Sequence, residues 1–146
     1  MANGATATEV GSKVPQDFAF VQPTILTGVT PDNPIFHEEI FGPVLMLFSY
    51  ETEEEVIRLA NGTDFGLGSS VYSEDPVHAA RVASAMESGA VSIHQPTMAS
   101  PAIPFGGVKT SGFGREMGPE GIREFTNQKY INSAQIDMDE VYVQYC

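Results

Sequence analysis

The chain has 146 residues, 42% of them hydrophobic, with 19 acidic against 7 basic side chains for a formal charge of -12 and a single cysteine. That length supports one compact core but is short for a two-domain enzyme. The negative charge, with no Lys/Arg cluster to offset it, argues against a nucleic-acid partner, and no run approaches the eighteen or so apolar residues of a membrane span.

In chain order, residues 1–16 are polar and small, without hydrophobic period, and are expected to be a mobile lead-in whose structure is poor or borrowed. They have neither a basic start nor an apolar run, so no targeting segment is expected and a reducing, cytoplasmic setting is. Residues 18–26 read as extended, interrupted by Pro23, and residues 27–34 hold the Gly, Pro, Asp and Asn of a turn. Residues 44–48, Val-Leu-Met-Leu-Phe, predict a strand buried on both faces. Thr52 with Glu55 forms a capping box for a helix of about two turns, with Val56, Leu59 and Ala60 on its apolar face and Asn61-Gly62 as a left-handed stop.

A strand over 68–73 follows, then a helix opened by Asp75 as N-cap and Pro76 at the first helical position. Its inner face is Ala79, Val82, Ala83 and Met86. Gly89 closes it, and residues 90–94 predict the next strand. Alternating strands and helices require crossovers, so the fold class is α/β with a parallel strand-helix-strand core. Residues 95–118 dissolve into Pro, Gly and Ser, a stretch too long for an idle connection and therefore a candidate for function. A short helix over 119–125 and strands over 129–131 and 141–145 complete the reading, the strands having no evident partner within the chain.

Generic motifs fail when tested. Gly66-Leu67-Gly68 and Gly112-Phe113-Gly114 have Val71 and Met117 where a dinucleotide fingerprint needs its third glycine. Lys109-Thr110 lacks the glycine that precedes the lysine of a phosphate loop. His37, His78 and His94 have no metal-ligand spacing and read as structural or surface histidines. Asp137, Asp139 and Glu140 lack the rest of a calcium loop and read as a solvated acidic run. Cys146, the last residue, has nothing to fix it beside a base, so no metal site and no catalytic residue is assigned.

What remains is specific. Glu38-Glu39-Ile40-Phe41-Gly42-Pro43-Val44, then Pro104-Phe105-Gly106-Gly107-Val108-Lys109, then Ser111-Gly112-Phe113-Gly114-Arg115-Glu116 resemble the NAD(P)-dependent aldehyde dehydrogenase superfamily. The likeness runs in order from about Phe20 to Ile131, through Asn61, Phe65-Gly66-Leu67, Gly89-Ala90-Val91 and Glu124-Phe125-Thr126 to Lys129, and it implies the C-terminal portion of such a chain. By this resemblance Glu39 accepts hydrogen bonds from the nicotinamide ribose hydroxyls and Phe41 packs near the nicotinamide, as a two-oxygen carboxylate and an aromatic face are suited to do. The plainer readings are a surface carboxylate and a core aromatic. The loop before Pro104 would line an aldehyde tunnel, nominating Met98, Ala99 and Phe105 as substrate-facing, against the alternative that they are simply packed. Gly106, Gly107, Gly112 and Gly114 read as architectural.

The family reaction, by the same resemblance, uses a cysteine thiolate, hydride transfer from the thiohemiacetal and a general-base glutamate. Those groups and the dinucleotide-binding domain lie upstream of the matching region, so the chain alone is expected to be inactive and to hold NAD or NADP weakly if at all. The expected organisation is a lead-in over 1–17, a partial catalytic domain over 18–126 and a segment over 127–146 whose final strand serves oligomerisation. Asn127 departs from the glutamate that many members place there to pair with an arginine such as Arg115. The expected partners are further copies of the chain or the N-terminal part of an aldehyde dehydrogenase, with an aldehyde substrate in the intact protein; a non-catalytic interaction module derived from the fold is the rival reading.

Overall fold

A computed structural model describes residues 4–132 and 144–145, and the chain divides into two compact units, residues 1–64 and 65–146. The first unit is a three-stranded sheet in the order β1-β2-β3. β1 (Thr6–Glu9) runs antiparallel to β2 (Thr24–Thr27), with Thr6 opposite Thr27, and β2 runs parallel to β3 (Val44–Met46), with Thr24 opposite Val44. β1 was not expected from the polar lead-in. All four of its residues are exposed, so no hydrophobic alternation marks it; main-chain bonding to β2 holds it. The Gln22 amide adds to this by donating to the carbonyls of Val10 and Ser12, at 2.7 and 3.3 Å, and accepting from the Val14 N–H at 3.0 Å.

The core of this unit is Ala5, Leu26, Val29 and Phe36, with Ile35, Ile40, Val44, Met46, Phe48 and Leu59 packed against it. Val44 and Met46 thus face inward while Leu45 and Leu47 are exposed. The expectation of a strand buried on both faces is corrected: β3 has one buried face, as the period-two geometry of a strand permits. A 3₁₀ turn at Pro34–His37 is capped by the buried Asn33, whose side-chain oxygen accepts from the Ile35 N–H. It carries Phe36 into an edge-to-face contact with Phe48 at 5.7 Å.

α1 (Glu53–Asn61) starts as predicted, with the Thr52 hydroxyl accepting from the Glu55 N–H at 3.2 Å. The Glu55 carboxylate, however, reaches the Glu51 N–H at 2.9 Å rather than that of the cap residue. Gly62 ends the helix in right-handed backbone, φ -74°, not as the left-handed stop that was expected. Its small size matters for another reason: a Cβ there would lie 3.1 Å from the Arg58 carbonyl oxygen and 3.4 Å from the Phe36 ring.

In the second unit, β5 (Gly68–Val71) pairs in parallel with β6 (Ala90–Ile93) across the crossover helix α2 (Pro76–Ala85). This is the strand-helix-strand element expected from the sequence, with Ala79 fully buried on the inner face of α2. β3 does not join it; β3 pairs with β2 in the first unit, so the anticipated run of strands is divided between two sheets. β4 (Phe65–Gly66) pairs antiparallel with β7 (Val108–Lys109), which lies inside the stretch that looked structureless. After α3 (Gly118–Arg123), β8 (Gln128–Lys129) pairs antiparallel with β9 (Gln144–Tyr145). The two end strands therefore pair with each other, a correction to their reading as strands without internal partners; residues 141–143 of the expected oligomerisation strand lie outside the described residues.

Candidate active-site walls

Glu38 leaves the 3₁₀ turn in extended conformation, φ -92° and ψ 138°. Two tight turns follow, the Gly42 N–H bonding to the Ile40 carbonyl at 2.9 Å and the Val44 N–H to the Gly42 carbonyl at 2.8 Å. Ile40 packs against the core while its two neighbours do not. Glu39 and Phe41 are both exposed, Phe41 at 94%. The alternative of Phe41 as a core aromatic does not hold for this chain. Among the described residues no partner engages the Glu39 carboxylate, which leaves both oxygens available to a diol.

In the second unit, residues 95–118 are folded back on themselves. Thr97 fixes the start, its hydroxyl donating to the Ser69 carbonyl at 2.8 Å. The Gly118 N–H closes onto Pro101 O at 3.0 Å, and Phe105 and Glu116 exchange both main-chain bonds at 2.8 and 2.7 Å. His94, Lys109 and Met117 all hold positive φ, at 60°, 54° and 62°. Such strain gathers where a surrounding structure dictates backbone shape, and functional loops are common places for it.

Phe105 lines a cavity of about 390 Å³ together with Leu67, Ser111, Phe113, Arg115 and Phe125. Met98 and Ala99 do not line it; both are exposed on the segment between the Thr97 and Phe105 tethers. The sequence offered Arg115 only as a pairing partner for the glutamate that Asn127 replaces. Its Nη1 donates to the carbonyls of Gly107 and Gly114, at 3.0 and 2.6 Å, and the main-chain N–H of Arg115 donates to a Glu124 carboxylate oxygen at 3.2 Å. The Ser-Gly-Phe-Gly-Arg-Glu motif had carried that signal, but only its glycines were given a physical reason. Lys109 pairs with Glu87 at 3.1 Å, and Ser111 Oγ accepts from the Gly66 N–H at 3.0 Å.

Each histidine has its own local contact. His37 Nε2 lies 3.1 Å from the Pro31 carbonyl oxygen, His78 Nδ1 lies 3.4 Å from Ser73 Oγ, and His94 meets Tyr72 edge-on at 6.1 Å. Among the described residues no group of three His, Cys, Asp or Glu could hold a metal ion, and no helix is long and apolar enough to cross a membrane.

The chain thus combines an α/β fold, an exposed carboxylate and aromatic two positions apart, and a glycine-rich loop braced by an arginine. The aldehyde dehydrogenase family model matches residues 1–131, and the chain belongs to that family. It is 48% identical over 130 residues to an NADP⁺ succinate-semialdehyde dehydrogenase of Deinococcus radiodurans, covering 89% of this chain and 27% of that protein. Among solved structures, succinic semialdehyde dehydrogenase from Streptococcus pyogenes in complex with NADP⁺ superposes with a TM-score of 0.79 at 41% identity, covering 85% of this chain and 27% of that one. A double mutant of betaine aldehyde dehydrogenase from Staphylococcus aureus, in complex with NAD⁺, gives 0.78 at 42% identity, covering 85% and 26%.

The chain therefore spans about a quarter of the length of the relatives it matches, and its fold is a partial one. The match begins at residue 1, so it takes in the lead-in that the motif likeness had left out. These alignments do not bear out the expectation that the matched part is C-terminal in the relatives; they establish its extent in this chain and its share of theirs. The only cysteine, Cys146, lies beyond the matched residues.

Proposed function

We propose that this chain supplies part of the cofactor and substrate walls of an NAD(P)-dependent aldehyde dehydrogenase and becomes active only when the rest of such a protein completes it. The observation that carries the reading is the exposure of Glu39 and Phe41 on either side of the half-buried Ile40. In this reading the Glu39 carboxylate accepts two hydrogen bonds from the nicotinamide ribose and Phe41 restricts the ring's orientation. The nicotinamide, when bound, supplies the hydride acceptor. Phe105 and the exposed Met98 and Ala99 offer apolar walls to an aldehyde chain. No nucleophile is assigned, because the matched residues contain no cysteine.

Both NADP⁺ and NAD⁺ occur with the solved relatives, so both belong in the test. The chain would be co-expressed with the portion of the Deinococcus radiodurans relative that lies outside the match, and reduction of NADP⁺ and NAD⁺ would be followed with succinate semialdehyde and betaine aldehyde. The expected result is turnover by the combined pieces and none by the chain alone. Turnover by the isolated chain would overturn the proposal, as would a stable combined protein that stays inert, which would favour a non-catalytic self-association or interaction module instead. In an active assembly, Glu39→Gln should raise the KM for the cofactor about tenfold, the loss expected of one charge-assisted hydrogen bond, with a smaller change in the KM for aldehyde.

A further inference from the structure

We infer that the cavity between the 3₁₀ turn at Pro34–His37 and α1 is a binding site for a small zwitterion with an apolar side chain, an α-amino acid by chemical class, whose carboxylate meets Arg58 and whose ammonium meets Glu55. The cavity holds about 470 Å³ and lies within the first unit, a size that suits a small molecule. Neither Glu39 nor Phe41 lines it, so the inference goes beyond the proposed function and does not depend on it.

The floor is apolar and fixed. Phe36 belongs to the core, and the half-buried Leu59 of α1 packs against that core. Gly62 keeps the floor open, since a Cβ there would stand 3.4 Å from the Phe36 ring. One wall is tied down at His37, whose Nε2 lies 3.1 Å from the Pro31 carbonyl oxygen and whose ring meets Phe36 edge-on at 5.1 Å. A wall held before binding loses little conformational freedom on association.

The opposite wall carries one charge of each sign. Glu55 and Arg58 are three positions apart on α1 and both line the cavity. That spacing sets Cβ atoms about 5–6 Å apart and commonly yields a salt bridge, yet no ion pair joins them, and among the described residues Arg58 has no partner. Glu55 commits Oε2 to the Glu51 N–H at 2.9 Å, which orients the carboxylate and leaves its other oxygen open. A guanidinium offers a carboxylate two parallel donors, and the open carboxylate oxygen accepts from an ammonium.

Charge selects the class of ligand. The chain carries -12, and Glu53 and Glu54 adjoin the site on α1, so a plain anion is repelled on approach. A plain amine brings a second cation beside Arg58 and leaves the guanidinium unmet. A zwitterion has no net charge to repel and satisfies both groups at once, while its side chain covers Phe36 and Leu59.

The test measures binding of L-phenylalanine by calorimetry, using the full chain and its assembly with the outside portion of the Deinococcus radiodurans relative. The comparators are 3-phenylpropionate, which lacks the ammonium, and phenethylamine, which lacks the carboxylate. The expected result is saturable one-to-one binding of phenylalanine, with each comparator at least tenfold weaker, as loss of a charge-assisted contact implies. Arg58→Gln and Glu55→Gln should each lower the affinity at least tenfold, and Lys13→Gln, an exposed cation outside the cavity, should not. Glutamine at position 55 keeps an acceptor for the Glu51 N–H, circular dichroism checks each variant's fold, and the comparators test the inference on the parent chain alone. Absence of phenylalanine binding in both preparations overturns the inference. So does equal binding of either comparator, which would make this a simple anion or amine site, and so does unchanged affinity in both folded variants. Binding by a chain whose assembly is inert supports the site while refuting the proposed function; an active assembly without binding does the reverse.

Discussion

A methyl group added at Gly89 would run into the carbonyl oxygen of Gly106. The sequence suggested that Gly89 closes α2, but that helix ends at Ala85 with Met86 as its cap. The glycine is required where two segments approach, its N–H bonding to Gly66 O at 3.0 Å. Gly89→Ala should therefore destabilise the second unit by about 1–3 kcal/mol, the usual cost of overpacking, read by denaturant unfolding. Gly42 is the contrast. A Cβ there meets nothing within 4 Å, so Gly42→Ala should be neutral or stabilise by about 0.4–1 kcal/mol through the unfolded chain. Gly107 resembles Gly89, since a Cβ would lie 2.6 Å from that of Ser111, while Gly112 and Gly114 hold φ of 124° and 77°. These last three loop glycines, with Gly106, were legible as architectural because backbone constraint leaves a compositional mark. The job of Arg115 was not, because its acceptors are carbonyls that every residue type carries.

At the scale of elements, local chemistry wrote the helix starts. Asp75 accepts from the N–H groups of both Val77 and His78, at 2.8 and 3.2 Å, and Pro76 needs no partner at the first helical position. Asp75→Ala should cost about 1 kcal/mol, seen as a lower unfolding midpoint with an unchanged denaturant slope. Strands were less legible. β5 and β6 were recognised from the order strand-helix-strand, yet β1 escaped because its stability comes from pairing with β2 and from the Gln22 amide. The single-sided burial of β3 escaped for a related reason: an apolar run shows that a strand could be covered on both faces, while only the arrangement of neighbours shows which face is. Within the first unit Leu26, 2% exposed on the central strand, is the most committed core position. Leu26→Ala should cost about 2–5 kcal/mol, the range for a buried leucine truncation, measured in the same unfolding experiment.

At the scale of the whole molecule, the described residues include few buried apolar side chains and many exposed ones. Among the described residues the buried hydrophobic ones are Ala5, Leu26, Val29, Phe36 and Ala79, while Phe41, Phe113 and Phe125 stand almost fully in solvent. A chain matching about a quarter of its relatives should have such surfaces, since faces that a longer polypeptide covers are left open. Completion by the missing portion should accordingly raise thermal stability as well as turnover, because a partner that binds only the folded chain shifts the folding equilibrium; an unfolding midpoint unchanged in the combined protein would count against this. By itself the sequence determined the family, the α/β class, the capped helices and the candidate pair Glu39 and Phe41, for each is carried by residue type at fixed spacing. The tertiary structure alone decided that Ile40 packs against the core while its two neighbours stand exposed, that Phe105 faces a cavity which Met98 and Ala99 do not, and that the terminal strands pair with each other. Those outcomes depend on which segments distant in sequence come to lie against one another, and a linear pattern does not encode that neighbour.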